Sequence, residues 1–463
     1  MLSLALVAAA AGATAQGMFY REVEKDGRIY VFNDMRAYDR FEKGGEMAAP
    51  ITRPGYGPDK ETVVFDSEEA IHLYNFKHGR PGEVRIQPTP PPPPTVSWRD
   101  GTTTLSFPDR ALVRINNRVQ VRFTNEFPDG TVQLPGTSAP GDDRPSFRIR
   151  RAKFKVDGWF YKPWLLYEVQ LNWPAVTTAN NPGAILEDAY IQWDPTKGSR
   201  RFMIKLGQYK VPLGRQQLTS SGSQQMVDRS QVSDQYARGR DLGLQLWGVA
   251  FANKVEWRVG AFNGNGLTRS TNDNDTFQYN ARLMFQPRGA VALGAGSGNS
   301  GPLYSEADFE SRDAPIWAVA VSFERNDFHG TTAAVDFRDD IWAFDYTFKF
   351  KRFSSVGEVH LREREPEPAV TRGPVVKFDS NGWFVQAGYL LDEARHWEVA
   401  GRYGTFDDPT SRRSGDDQRE IRGGLNYYYN RHALKVQADF GQLESRASGR
   451  KNRELRIQTQ FLF

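Results

Sequence analysis

The chain has 463 residues, with 60 Lys and Arg against 56 Asp and Glu and no cysteine. Lacking thiols, it has neither a disulfide scaffold nor thiolate metal chemistry. Mean hydropathy is -0.61 and nothing past the first residues resembles a transmembrane helix, yet strands that alternate apolar and polar residues hide a lipid-facing surface from such an average.

Residues 1–15 form the only sustained apolar run, too short to cross a bilayer as a helix. Ala13, Thr14 and Ala15 before Gln16 suit a signal-peptidase site, so export is expected. Residues 16–87 differ in composition and hold two copies of a strand followed by a helix, 29–33 then 34–45 and 63–66 then 67–79. Asn33 and Asp66 are placed as N-caps, Gly44 and Gly79 as stops. The expectation is a small periplasmic α+β module, at about seventy residues only marginally stable alone, that docks to a periplasmic or cell-wall partner or acts as a spacer. Residues 88–96, with five consecutive prolines at 90–94, read as a stiff polyproline II linker.

The remainder, 97–463, reads as about sixteen alternating segments separated by polar, Gly-rich or Asp-rich turns. The clearest are 118–123, 151–157, 167–173, 189–193, 202–206, 242–247, 255–262, 279–285, 317–323, 342–350, 383–389, 397–403, 421–427 and 434–440. In the last segment Leu455, Ile457, Thr459, Phe461 and Phe463 share one side, and Arg456, Gln458 and Gln460 the other. Such a strand, ending on an aromatic residue, closes an outer-membrane barrel, where one face meets lipid and the other water. The fold class is therefore all-β: a 16-stranded antiparallel transmembrane β-barrel after a small α+β module. An even strand number keeps both chain ends periplasmic, and about sixteen strands leave a lumen wide enough for water.

A charge on the lipid face near the midplane costs about 2 to 4 kcal/mol for Arg or Lys, which sends the charged set of each strand inward. Arg118, Arg122, Arg151, Lys153, Lys155 and Lys205 form an early cationic row, followed by Arg258, Arg282, Lys349, Arg402, Arg422, Lys435 and Arg456. Asp157, Glu168, Asp188, Asp241, Glu256, Asp345, Glu358, Glu398, Glu420 and Asp439 point the same way. About half of these should only hydrogen-bond one another. The stretch 148–155 is different, with five cations and no acid, and from residue 88 onward the balance is +6. Rings of Arg and Lys are how pores favour anions.

The chain resembles the phosphate-selective porins O and P of Gram-negative outer membranes. The resemblance is carried by Arg150-Arg151-Ala152-Lys153, by Leu186-Glu187-Asp188-Ala189-Tyr190-Ile191, and by Gly207-Gln208-Tyr209-Lys210-Val211-Pro212-Leu213-Gly214 with Gln217-Leu218-Thr219-Ser220-Ser221. It continues through Asp228-Arg229-Ser230 and Gly239-Arg240-Asp241-Leu242. It implies a sixteen-stranded barrel, commonly a homotrimer, whose loop after the fifth strand folds inward to narrow the pore. Lys210, Arg215, Arg229, Arg238 and Arg240 are then constriction candidates, and small anions of the phosphate or polyphosphate class the solutes. The partners expected are outer-membrane lipid and these solutes, with no nucleic acid and no cofactor.

An enzyme is not expected. Residues 296–301 match G-x-G-x-x-G but precede Pro302 with no strand-to-helix setting, which reads as a loop. His360 shares a predicted inward face with Glu358, and Glu363 and Arg362 are close in sequence. A rival reading makes the barrel an anchor that tethers the outer membrane to a periplasmic partner through residues 16–87.

Overall fold

The computed structural model describes residues 19–44, 46–47, 50–80, 93–128, 143–173, 185–267, 271–289, 301–328, 337–366, 378–407, 417–446 and 448–463. The expected signal peptide, most of the proline linker and residues 296–300 lie outside them. The chain divides into two units, 1–92 and 93–463.

In the first unit, β1 (Arg21–Lys25), β2 (Arg28–Phe32), β3 (Ile51–Arg53) and β4 (Thr62–Phe65) form a sheet in the order β1-β2-β4-β3, with β2 and β4 parallel. The helices are α1 (Met35–Glu42) and α2 (Glu68–Lys77), and Val31, Val63, Phe65, Ala70 and Tyr74 close a core of their own. The caps fall one residue later than the sequence reading placed them. Asp34 accepts from Arg36 N and Ser67 from Ala70 N. Asn33 and Asp66 tie the two copies together instead: the Asp66 carboxylate accepts the N–H groups of Asn33 and Asp34 at 2.9 and 3.1 Å, and Ser67 Oγ donates to Asn33 Oδ1 at 2.8 Å. Gly44 and Gly79 do end the helices, at φ 84 and 59; glycine reaches that left-handed region without a steric penalty.

In the second unit a closed antiparallel barrel runs from β7 (Ala111–Phe127) to β22 (Lys451–Leu462). Between them come β8 (Arg144–Phe160), β9 (Leu165–Asn172), β10 (Ile185–Trp193), β11 (Met203–Lys210), β12 (Arg240–Ala250), β13 (Val255–Phe262) and β14 (Gln278–Phe285). They are followed by β15 (Ile316–Phe328), β16 (Phe337–Phe350), β17 (Phe353–Pro366), β18 (Phe378–Leu390), β19 (Trp397–Phe406), β20 (Gln418–Asn430) and β21 (Leu434–Ser445). Closure pairs β22 with the far part of β7, Leu462 opposite Arg118 through Arg453 opposite Phe127. The near part of β7 is taken by a hairpin of β5 (Thr95–Arg99) and β6 (Thr102–Phe107), so two strands share one edge end to end.

The dyad pattern is realised as expected in the last strand: Ile457 and Phe461 are exposed, while Arg456, Gln458 and Gln460 are buried. Exposed here means facing lipid, which apolar side chains meet without loss. One strand absent from the clear segments, β17, has Val359 and Leu361 outward but reads weakly because Ser, Gly, Glu and His dominate it. It joins β16 through Lys351 and Arg352, both at positive φ, as a two-residue primed hairpin turn requires.

Candidate pore constriction

After β11, the fifth barrel strand, residues 211–239 turn into the lumen as expected and carry the short helices α3 (Arg215–Leu218) and α4 (Gln231–Tyr236). Val211, Leu213, Leu218, Met226, Val227, Val232 and Tyr236 are buried. The loop is fastened to the far wall by buried ion pairs and hydrogen bonds. Arg215 Nε donates to Asp345 Oδ1 at 3.0 Å, an oxygen it shares with Arg282 at 3.0 Å. Arg238 reaches Glu324 at 3.2 Å and Asp339 at 3.1 Å, and Gln231 N donates to Glu420 at 3.0 Å. His360 belongs to the same fastening: its Nε2 lies 2.9 Å from Glu358, whose other oxygen accepts Gln216 N, and its ring stacks on Tyr236 at 5.4 Å.

A second segment, unmarked by any pattern in the residue order, enters the lumen from the opposite, short-turn end. Within the connection from β14 to β15, Leu303, Tyr304, Glu306, Ala307, Asp308 and Phe309 are all buried. It meets the loop where Arg215 Nη1 donates to Leu303 O at 3.1 Å and Glu306 N to Ser223 O at 2.9 Å.

Space remains on the side of β7 to β12. A cavity of about 260 Å³ is walled there by Arg118, Arg150, Arg151, Lys153, Lys155, Lys205, Lys210, Arg229, Arg240 and Arg258 against Glu168, Glu187 and Asp188, with Tyr190, Tyr209 and Trp247 between them. A second cavity of about 330 Å³ shares Arg118, Lys155, Gln170 and Ser220 with the first and reaches the turn at 431–433. Together they trace a conduit along one wall, ten cations to three acids in its first part.

Two β-bulges shape that wall. The β7–β8 register passes from Gln120 opposite Arg151 to Val121 opposite Ile149, leaving Arg150 as the extra residue. The β9–β10 register skips Glu187 between Leu186 and Asp188. Strict alternation would put one of each charged pair against lipid, whereas a bulge lets both turn inward. Arg150 and Glu187 are thus wall residues that a period of two overlooks. The signal was available: two adjacent charges in an otherwise alternating strand, where one would cost about 2 to 4 kcal/mol outside. Gly207 on β11 serves the same wall. Its φ is 131, and a Cβ there would lie 2.2 Å from Ala189 O, so only glycine lets β10 approach this closely.

Several wall cations are neutralised. Lys153 pairs with Glu187, Lys155 with Glu168 at 2.9 Å, and Arg240 with Asp188 and Glu187 at 2.9 and 3.1 Å. Four make no ion pair among the described residues. Arg118 donates Nη1 to Ser220 Oγ at 2.9 Å and leaves Nε without a partner. Lys205 Nζ lies over the Tyr190 and Tyr209 rings at 3.5 and 4.2 Å. Lys210 and Arg229 donate only to backbone carbonyls of the loop, at residues 216, 218 and 219. Carbonyls satisfy these donors without cancelling their charge, so the conduit keeps a positive field.

Of the expected site residues, Arg118, Arg151, Lys153, Lys155, Lys205, Lys210, Arg229 and Arg240 line the first cavity. Arg122, Arg215 and Arg238 line neither. Arg215 and Arg238 hold the loop as described, and Arg122 is buried with Nη1 on Asp228 at 2.5 Å and Nη2 on Val227 O at 3.2 Å, tying the loop to β7.

A sixteen-stranded barrel narrowed by its own inward loop is the architecture of an outer-membrane porin. Residues 122–463 match the family of phosphate-selective porins O and P, and the chain belongs to it. A protein of Aquifex aeolicus (strain VF5) described as uncharacterized is 23% identical over 307 residues, which cover 59% of this chain and 67% of that one. Two solved structures share the fold: the anion-selective porin of Comamonas acidovorans, at 10% identity, TM-score 0.51, covering 76% of this chain and 99% of that one, and the outer membrane channel DcaP of Acinetobacter baumannii, at 11%, 0.52, 77% and 99%. The protein is an outer-membrane channel for passive diffusion, and family and fold are those of channels rather than enzymes.

Proposed function

We propose that the channel prefers small anions of the phosphate or polyphosphate class, which bind weakly along Arg118, Arg150, Arg151, Lys153, Lys155, Lys205, Lys210, Arg229 and Arg240 and leave under their own gradient. The observation that carries this is the set of four wall cations without a carboxylate partner, Arg118, Lys205, Lys210 and Arg229, in a conduit with few acids. Surplus positive charge beside low-dielectric walls raises the local anion concentration, while backbone and tyrosine contacts keep the cations from holding a solute tightly. Arg122, Arg215 and Arg238 act as loop anchors. The family resemblance supports a homotrimer, and residues 16–87, with their own core, serve as a periplasmic docking module.

The test is a reversal-potential measurement on the full-length protein in a planar bilayer under a KCl gradient, followed by phosphate titration. Chloride should dominate, and millimolar phosphate should reduce the chloride current. Dominant potassium permeation would overturn the proposal.

A further inference from the structure

The segment 301–311 enters the lumen from the short-turn end, and neither the neutral diffusion role nor anion binding has a use for it. Its contacts reach both the inward loop and the barrel wall. Tyr304 packs against Arg215, guanidinium to ring centroid 5.4 Å, and its hydroxyl accepts from Arg258 at 3.4 Å. Phe309 meets Tyr428 edge to face at 4.8 Å and His432 at 4.9 Å, while Lys349 Nζ donates to Ala307 O at 2.8 Å. Glu306 is the staple: one carboxylate accepts from Gln216 Nε2 at 3.0 Å, Gln225 N at 2.8 Å and Gln386 Nε2 at 2.8 Å. Those donors belong to the inward loop and to β18, so the loop from one end and the segment from the other are clasped to each other and to the wall.

We propose that 301–311 is a fixed stopper that closes the half of the lumen walled by β14 to β21, and that by doing so it sets the selectivity of the pore. The closed half holds no surplus of cations: among the described residues, the buried charges of β14 to β21 are eight Asp and Glu against six Arg and Lys. Arg282 and Arg215 share Asp345, Arg402 pairs with Glu420 at 2.7 Å, and Arg422 reaches Asp439 at 2.9 Å. A solute crossing there would meet no surplus of positive charge to draw an anion. With that route shut, every ion must pass the surplus of cations along β7 to β12. An apolar body suits the purpose because Leu303, Tyr304 and Phe309 exclude water as they seal, and water-filled routes are what carry ions.

The part of this inference that concerns selectivity rests on the anion preference proposed above; the blockage does not. The experiment is single-channel recording of the full-length protein with Leu303→Gly, Tyr304→Gly and Phe309→Gly combined, beside Glu306→Ala, each checked for the heat-modifiable electrophoretic shift of a folded barrel. The triple variant should conduct at least twofold more than the unaltered protein, with anion preference falling toward unity. Glu306→Ala, which keeps the apolar body and loses the staple, should show intermittent steps to that larger level. A folded triple variant of unchanged conductance would overturn the stopper. If the triple variant does not fold, the absence of larger steps in Glu306→Ala does the same. Should the unaltered pore prove cation-preferring, the anion proposal fails, and a conductance rise in the variants still supports the blockage.

Discussion

The two halves of this barrel obey the same alternation and use it to opposite ends. Along β14 to β21 the inward charges are buried under loop and stopper, with Arg282, Arg402 and Arg422 on carboxylates and Lys349 and Lys435 on backbone carbonyls. Along β7 to β12 the cations outnumber the acids and face open space, and bulges at Arg150 and Glu187 add one side chain of each sign that a regular ladder would have turned outward. The contrast teaches that one alternation can give either kind of lining, and that what separates them is where the buried acids fall.

Breaking the paired half should have the largest effect. Asp345→Ala leaves Arg215 and Arg282 buried without a counter-charge, and loss of one partner of a buried pair costs about 3 to 5 kcal/mol; heat-induced loss of the folded electrophoretic form should move to clearly lower temperature. In the open half, Gly207→Ala forces a β-carbon into left-handed backbone against Ala189 O and should destabilise by about 1 to 3 kcal/mol, read by the same assay. Reversing charges there leaves stability nearly alone: Arg118→Glu with Lys205→Glu turns ten cations and three acids into eight and five, and the chloride-to-potassium permeability ratio should drop severalfold with little change in the thermal transition.

The smallest effect lies outside both halves and serves as their control. Burial pushes the Glu22 carboxyl up, but hydrogen bonds from Tyr20, His78 and Lys77 outweigh it and hold the group below its ordinary 4.5. The stability this contributes is present above 4.5 and is lost as pH falls through the lower folded value. Pepsin cleavage within residues 19–80 of the full chain should therefore rise on acidification, less steeply in Glu22→Gln, while the conductance properties of the barrel stay as they were.

Much of this was legible in residue order. Alternation located fifteen of the barrel's strands, because a lipid face tolerates so few charges that the pattern must be strict, and the Lys210-to-Arg240 stretch marked the inward loop through its resemblance. Beyond the bulged residues Arg150 and Glu187, three elements escaped. β17 carries too few large apolar residues to stand out. The caps at Asp34 and Ser67 sit beside equally good candidates, Asn33 and Asp66, and only the parallel pairing of β2 with β4 decides between them. The stopper reads as an ordinary polar turn, since Glu306 and Asp308 look solvated until Gln216, Gln225, Gln386 and Arg352 N are found around them.

The shared edge of β7 bears on how the molecule assembles. Gln120 hydrogen-bonds Gln460 across 340 positions of sequence, so the final seam cannot form until nearly the whole polypeptide is present, and such distant pairing makes for slow folding. Until then the exposed ladder of β7 is a template for strands of other chains. The β5–β6 hairpin, which is local and quick to form, occupies residues 111–116 of that ladder from the outset. It shortens the vulnerable stretch and marks the register at which Phe463, bonded both ways to Asn117, must finally arrive.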